Sequence, residues 1–486
     1  MINFENSFHN LNEDFYANVI PSIPPKPELI SCNKSVAKLL GINLKWIKSD
    51  EGIACLTGSK VLEGSNPLSM VYAGHQFGNW VPKLGDGRAI LLGEIVSQEN
   101  ERWDIQLKGS GITPFSRNGD GKAALGPVIR EYLLSHAMYN LGIPTTLALT
   151  IAKTGENIRR EALLPGAIIS RVAKSHIRVG TFQYFASQGK YNLVKDLSDY
   201  VINRHIPEII NKKSKYFDFF QSVAKKQASL IAKWMSVGFI HGVMNTDNCS
   251  IVGDTIDYGP CAFIDIFKKD AVFSSIDTFG RYSYKNQPLI GQWNLVQLAN
   301  CLLPLFSDNK EKSIQMAQEE IDKFPRIYEE FWFNEMREKL GLKIIKKQDI
   351  NLIKELEDIM ESEQLDFTIT FSSLKFIFQN KTNRLVKFNK RSKKFNDWIL
   401  KWKSRLAEEK ISKIEIMKKM EFSNPYIIPR NHLVEEAIDF ANNNDFLNFS
   451  KLFNLLSKPY SFEEANHRYY IPPDKVDENF KTFCGT

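Results

Sequence analysis

Asp247, Asn248 and Asp257 stand close together in HGVMNTDNCSIVGDTIDYG, residues 241–259 of the chain. Asn248 and Asp257 offer hard oxygen donors, which Mg2+ or Mn2+ takes when it also bridges phosphate oxygens. Asp247 offers a further carboxylate that can accept a proton. Cations lie upstream: Lys108 in IQLKGSG, and Arg171 and Arg178 in SRVAKSHIRVG. A buried arginine needs an anionic partner, and a triphosphate or an internal carboxylate serves equally. KLGDGRAILLGE carries Gly85, Gly87 and Arg88 just before a strand, where bare backbone and a permanent charge suit the approach of a phosphate. The turn Asn118-Gly119-Asp120-Gly121 is as glycine-rich, and either closes over a phosphate or simply joins two elements. Six scattered cysteines form no C-x-x-C pair, and Cys249 and Cys261 make no tetrahedral set, so a zinc site is excluded.

The spacing within 241–259 matches the catalytic segment of protein kinases, where His-Arg-Asp leads to an Asn and then to Asp-Phe-Gly. His241 precedes Asn248 by seven residues, and Asp257-Tyr258-Gly259 stands where Asp-Phe-Gly would. The kinase base, two residues after the histidine, is replaced by Val243, which accepts no proton. Either the site is inactive or another group serves, and Asp247 is the candidate. His241 reads as a residue that orients the loop. Lys108 on a strand and Glu131 on a helix fit the pair with which kinases aim an ammonium at ATP. Taken alone, they read more simply as a surface lysine and an ordinary helix glutamate.

Positioning these groups requires a sheet followed by helices. RAILLGEIV and RWDIQLKG, separated by a polar SQENE turn, predict a hairpin, and a second strand pair is expected at 146–153 and 167–172. Helical periodicity covers 126–141, stopped by Gly142 and Pro144, and 217–237, stopped by Gly238. After Gly291 the chain reads mostly helical. The fold class is α+β, a two-lobed layout of the protein-kinase kind with a helical C-terminal elaboration. The expected divisions are a Pro-rich extended arm (1–65), a sheet-rich lobe (66–185), a helical lobe carrying the catalytic and metal motifs (186–303) and the elaboration (304–486).

With 43% hydrophobic and 24% charged residues the composition is that of a soluble globular protein. No stretch reaches the roughly 18 uninterrupted apolar residues of a membrane span, and MINFENSFHNLNEDF has no secretory pattern. The cysteine pattern suits a reducing compartment, so the cytoplasm and a monomer without membrane partners are expected. The net charge of +7 is local: residues 381–420 hold fourteen Lys or Arg against four Asp or Glu. Their interleaved Leu, Phe, Trp and Ile recur at helical spacing, which favours a solvated helical face over a nucleic-acid site.

Long motifs then carry a specific likeness. YAGHQFGNWVPKLGDGRAILLGE (72–94), LKGSGITPFSRNGDGKAALGPVIREYLLSHAMYNLGIPTT (107–146), SRVAKSHIRVGTF (170–182) and HGVMNTDNCSIVGDTIDYGP (241–260) closely resemble the selenoprotein O family. The resemblance implies a pseudokinase fold that is nonetheless active. It implies ATP bound in a flipped orientation and AMP transferred to Ser, Thr or Tyr hydroxyls of proteins, itself included, with pyrophosphate released; UTP is the alternative co-substrate. By the same resemblance the nucleotide residues are Gly85, Gly87, Arg88, Lys108, Asp120, Gly121, Arg171, Arg178 and Asp257, with Glu131 holding Lys108. Mg2+ or Mn2+ falls to Asn248 and Asp257, and the proton to Asp247. Relatives with a redox centre end in Cys-x-x-selenocysteine or Cys-x-x-Cys; here Cys484 takes the second place and Lys481 the first, so no local disulfide is possible. Two other readings compete. A kinase transferring the γ-phosphate is opposed by Val243, and a nucleotide-binding scaffold without turnover has no need of Asp247, Asn248 and Asp257 together.

Overall fold

Aliphatic runs in the first 175 residues build one antiparallel sheet. The computed structural model describes residues 2–388, 392–473 and 480–483. Its strands are β1 (Tyr16–Asn18), β2 (Glu28–Cys32), β3 (Leu68–Met70), β4 (Gly74–Gln76), β5 (Asn79–Val81), β6 (Ala89–Val96), β7 (Arg102–Lys108), β8 (Ala123–Ala124), β9 (Leu147–Arg159) and β10 (Leu163–Ala173). The main sheet runs β1-β3-β6-β7-β10-β9-β2, with β8 paired to β10, while β4 and β5 form a separate hairpin. The expected 89–108 hairpin is present, with Ala89 opposite Lys108 and Val96 opposite Arg102. β9 and β10 run past the apolar stretches that announced them. Backbone pairing continues through polar residues as far as Arg159 opposite Leu163, where hydrophobic runs give no signal.

The segment read as an extended arm is built into the fold. Its prolines do occupy an irregular stretch, 21–27, since proline has no N–H for a ladder. On either side, however, β1 and β2 form the two edges of the sheet. Three short helices follow (Lys34–Leu39, Leu44–Ile47, Asp50–Leu56), each started by a side-chain cap from Asn33, Asn43 or Ser49. They bury Val36, Ile47 and Leu56 in a core shared with Trp103, Ile105 and Leu149 of the sheet.

The helix Leu125–Asn140 sits between sheet and helical part, and is buried along nearly its whole length. The helices Val179–Ala186, Tyr191–His205 and Lys215–Ser236 come next, then Gln287–Phe306 and the 30-residue Lys310–Lys339. The apolar helical stretch Tyr284–Phe306 is long enough to cross a membrane by length and composition; it packs Leu295, Leu298 and Leu302 into the core. In the basic segment the helices Arg384–Phe388, Lys393–Ala407 and Lys413–Ser423 bury Trp398, Trp402 and Met420, so the lysines decorate an outer face. Arg430 is fully buried between Asp265 and Asp366, which ties the C-terminal helices to the chain just past Asp257. The architecture is α+β, sheet first and helices after.

Candidate active site

β7 ends at Lys108, β10 carries Arg171, and Arg178 caps the helix Val179–Ala186, so three cations from three elements converge on one cleft. That cleft encloses about 890 Å³. Gly85, Gly87, Arg88, Asp120 and Gly121 line it, as do Lys108, Arg171, Arg178, Asp247, Asn248 and Asp257. Glu131 stands behind Lys108 and takes a 2.7 Å bond from its Nζ. All of the sequence-predicted site residues are thus brought together. Gly85, at φ +77, lies against the Phe115 ring where a Cβ would collide. Asp120 is more peripheral, paired with Arg160 at 2.8 Å and 41% exposed.

The innermost charges form a continuous chain. Arg171 Nε donates to Glu131, and its Nη2 donates to Asp257 Oδ1 at 2.7 Å. Arg178 places Nη2 3.4 Å from Asp257 Oδ2 and Nη1 3.7 Å from Asp86 Oδ1, with its guanidinium over the Tyr72 ring. The anion partners of both buried arginines are therefore carboxylates of the protein itself. Burial alone would raise the Glu131 and Asp257 pKa values, but the neighbouring cations more than offset it. Arg171 and Lys108 bring Glu131 down to about 2. Arg178, Arg171 and Lys108 hold Asp257 far below the usual carboxylate range. Both stay ionised at any physiological pH. Burial, and then Arg171, press the Lys108 pKa downwards against the pull of Glu131.

Asp257 adopts φ +64, in the left-handed region that few non-glycine residues enter. The two residues before it are held in place: Thr255 N donates to Pro144 O at 2.9 Å, and the His241 ring nitrogen Nε2 lies 2.8 Å from the Ile256 carbonyl. His241 is wholly buried. Val243, two residues after His241, lines the cleft. Asn248 Nδ2 donates to Val243 O at 3.1 Å, which leaves Oδ1 as the atom available to a cation. Among the described residues no three His, Cys, Asp or Glu side chains converge on one point. Asn248 and Asp257 are a two-residue oxygen set, which suits a divalent ion whose remaining ligands are phosphate oxygens and water.

Asp247 is 6% exposed, and burial pushes its carboxyl up to about 6. Gln76 Nε2 donates to its Oδ2 at 3.3 Å, while Oδ1 is buried without a hydrogen-bond partner. Gly74 and Gly180 pack against it so closely that a Cβ on Gly74 would fall 2.3 Å from Oδ1. Gln76, Gly74, Gly180, Asp86 and Tyr72 were not singled out in the sequence. They lie in YAGHQFGNW, between Gly85 and Gly87, and in SRVAKSHIRVGTF, and none of these stretches has local chemistry that reveals its partner. At the far end of the site, Thr482 N donates to Phe273 O at 2.8 Å and Thr482 Oγ1 to Pro260 O at 2.6 Å, so the C-terminal stretch runs along the loop after Asp257. The expectation about Cys484 lies outside the described residues; Cys261 is fully buried.

Comparison with known proteins places these features in context. Residues 1–457 match the family described as protein adenylyltransferase SelO. The protein nucleotidyltransferase YdiU of Bacillus cereus (strain G9842) is 48% identical over 485 residues, covering 100% of this chain and 98% of the relative. The proteins of the same name from Anoxybacillus flavithermus and Bacillus cytotoxicus are 48% and 49% identical, with 100% of this chain and 99% and 98% of theirs covered.

Proposed function

Because the chain belongs to the SelO family of protein adenylyltransferases, and so is a protein nucleotidyltransferase with a nucleotide such as ATP as co-substrate, we propose that its active site is the cleft around Asp247 and Asp257. The observation that carries this is the ion-pair chain Lys108–Glu131–Arg171–Asp257 ending beside an unusually basic, buried Asp247. The layout supports a two-lobed, kinase-like arrangement, with 66–185 as the sheet-rich lobe, 186–303 as the helical lobe and 304–486 as the elaboration. Residues 1–65 are better grouped with the first lobe, whose sheet they complete at both edges.

Lys108, Arg171 and Arg178 grip the outer phosphates, and Gly85, Gly87, Arg88 and Gly121 line the remainder of the nucleotide's path. The α-phosphorus then faces Asp247. Asp247 accepts the proton of a Ser, Thr or Tyr hydroxyl on a protein, the hydroxyl oxygen bonds to the α-phosphorus, and the bond to the β-phosphate oxygen breaks. The three cations hold the charge of the departing pyrophosphate. A Mg2+ or Mn2+ ion held by Asn248 and Asp257 supplies neutralisation of phosphate charge. UTP fits the same phosphate machinery, since none of these contacts involves the base.

Incubation with ATP labelled at the α- or the γ-phosphorus tests the reading. Label from the α-position should become protein-bound, on the enzyme itself as well as on substrates. Transfer of γ-label alone would make the chain a kinase despite Val243, and transfer of neither would make it a scaffold.

A further inference from the structure

The hairpin β4–β5 docks on the segment around Asp247 through three consecutive residues. His75 N donates to Thr246 Oγ1 at 2.7 Å, and Phe77 N donates to Asn245 Oδ1 at 3.0 Å. Asn245 Oδ1 is itself fixed by the Tyr282 hydroxyl at 2.6 Å. Between these two backbone anchors, Gln76 sends its side-chain amide to Asp247 Oδ2 at 3.3 Å. Gln76 is the one side-chain hydrogen-bond donor to that carboxylate among the described residues. The bare Gly74 lets the carboxylate pack closely against the hairpin, and Oδ1 adds no hydrogen bond of its own to hold it. Apart from the residue's own backbone N–H, the carboxylate of Asp247 is oriented by this one side-chain donor, delivered from 171 residues away in sequence.

We infer that Gln76 is the positioning residue for Asp247, fixing the carboxylate in the orientation that receives the acceptor hydroxyl's proton without itself holding the nucleotide. The inference rests on reading Asp247 as the proton acceptor. A purely structural role is a poor account of Gln76, because the hairpin is already tied down by the His75 and Phe77 backbone bonds, which a side-chain substitution leaves in place.

The test is a double-mutant cycle on the full chain, reading single-turnover transfer of α-label to protein, together with nucleotide affinity and melting temperature. Gln76→Met keeps the length of the side chain and removes the donor. It should slow transfer about tenfold, as expected for loss of a hydrogen bond to a charged group, with the nucleotide KM within about twofold. In an Asp247→Asn background the same substitution should change the residual rate by less than about twofold, since there is no carboxylate left to orient. Gln76→Glu, nearly isosteric but an acceptor, should lose at least as much as Gln76→Met. Equal losses from Gln76→Met in both backgrounds, a raised KM with unchanged turnover, or a fully active Gln76→Glu would each overturn the inference while leaving Asp247 as the base. Wild-type transfer by Asp247→Asn would instead sink the proton-acceptor reading, and this inference with it.

Discussion

Replacing Asp257 by alanine should have opposite effects on nucleotide binding with and without a divalent ion. In the intact site Asp257 Oδ1 takes a 2.7 Å bond from Arg171 and Oδ2 lies 3.4 Å from Arg178, both side chains being only 3% exposed. Lys108, Arg171 and Arg178 are balanced there by Glu131, Asp257 and Asp86. Removing one carboxylate leaves three cations facing two anions. Breaking one side of a buried pair costs about 3–5 kcal/mol; Arg171 keeps Glu131 and Arg178 keeps Asp86, so the low end, about 3 kcal/mol, applies to the unliganded protein. A metal-free triphosphate then meets guanidinium donors no longer committed to a carboxylate. Each such charge-assisted bond is worth about 1.5–3 kcal/mol, which makes binding in EDTA at least about tenfold tighter. With Mg2+ or Mn2+ present the variant has lost its charged ligand, and transfer should be abolished. Asp257→Asn separates the electrostatics from the backbone, because asparagine tolerates the φ of +64 better than alanine. The assay is nucleotide titration in EDTA and in divalent ion, with melting curves alongside. Weaker metal-free binding would show that Arg171 and Arg178 do not face the phosphates, and preserved divalent-dependent transfer would remove Asp257 from the metal site.

Three further outcomes are expected. If Lys108 and Arg171 hold the γ-end, wild type should bind ADP roughly ten- to a hundredfold more weakly than ATP, and this difference should shrink in Lys108→Ala and Arg171→Ala; an equal difference in all three refutes the flipped placement. Gly74→Ala puts a Cβ 2.3 Å from Asp247 Oδ1 and should depress transfer by about a hundredfold while nucleotide affinity stays within about threefold, as measured by turnover and titration in parallel. Lys339 is 2% exposed and burial pulls its pKa down to about 7, so between pH 7 and about 10 the unfolded chain binds the extra proton and stability rises with pH. Lys339→Met should therefore raise the melting temperature at pH 7, by about 1–3 kcal/mol of stability, and flatten the dependence between pH 7 and 9; a variant as pH-dependent as wild type would refute this account.

The parts legible in the sequence were those whose signal is local. Asn248 and Asp257 sit within one short segment at a recognisable spacing, and the 89–108 hairpin and the helices at 125–140 and 215–236 announce themselves by periodicity. β1 and β2 were missed because strands of three and five residues flanking four prolines have no period to read. Gln76 was missed for a different reason: a glutamine in a hairpin carries no mark of where its amide will go, and its partner is supplied by a segment far along the chain.

Arg171 and Arg178 show where such reading stops. That they would need an anion if buried followed from sequence, but whether that anion was a phosphate or a carboxylate did not. The structure supplies Glu131, Asp257 and Asp86, so the innermost cluster of charges is already balanced by the protein alone. A triphosphate brings about four more negative charges into a cleft where Asp257 cannot be neutralised by protonation, because its pKa lies far below neutrality. In the proposed nucleotide path, Arg88 and the glycine-rich turns that line the cleft would meet part of that charge. On the proposed reading the rest is matched by a cation beside Asn248 and Asp257, so the charge balance of the site argues for divalent-ion dependence alongside the motif.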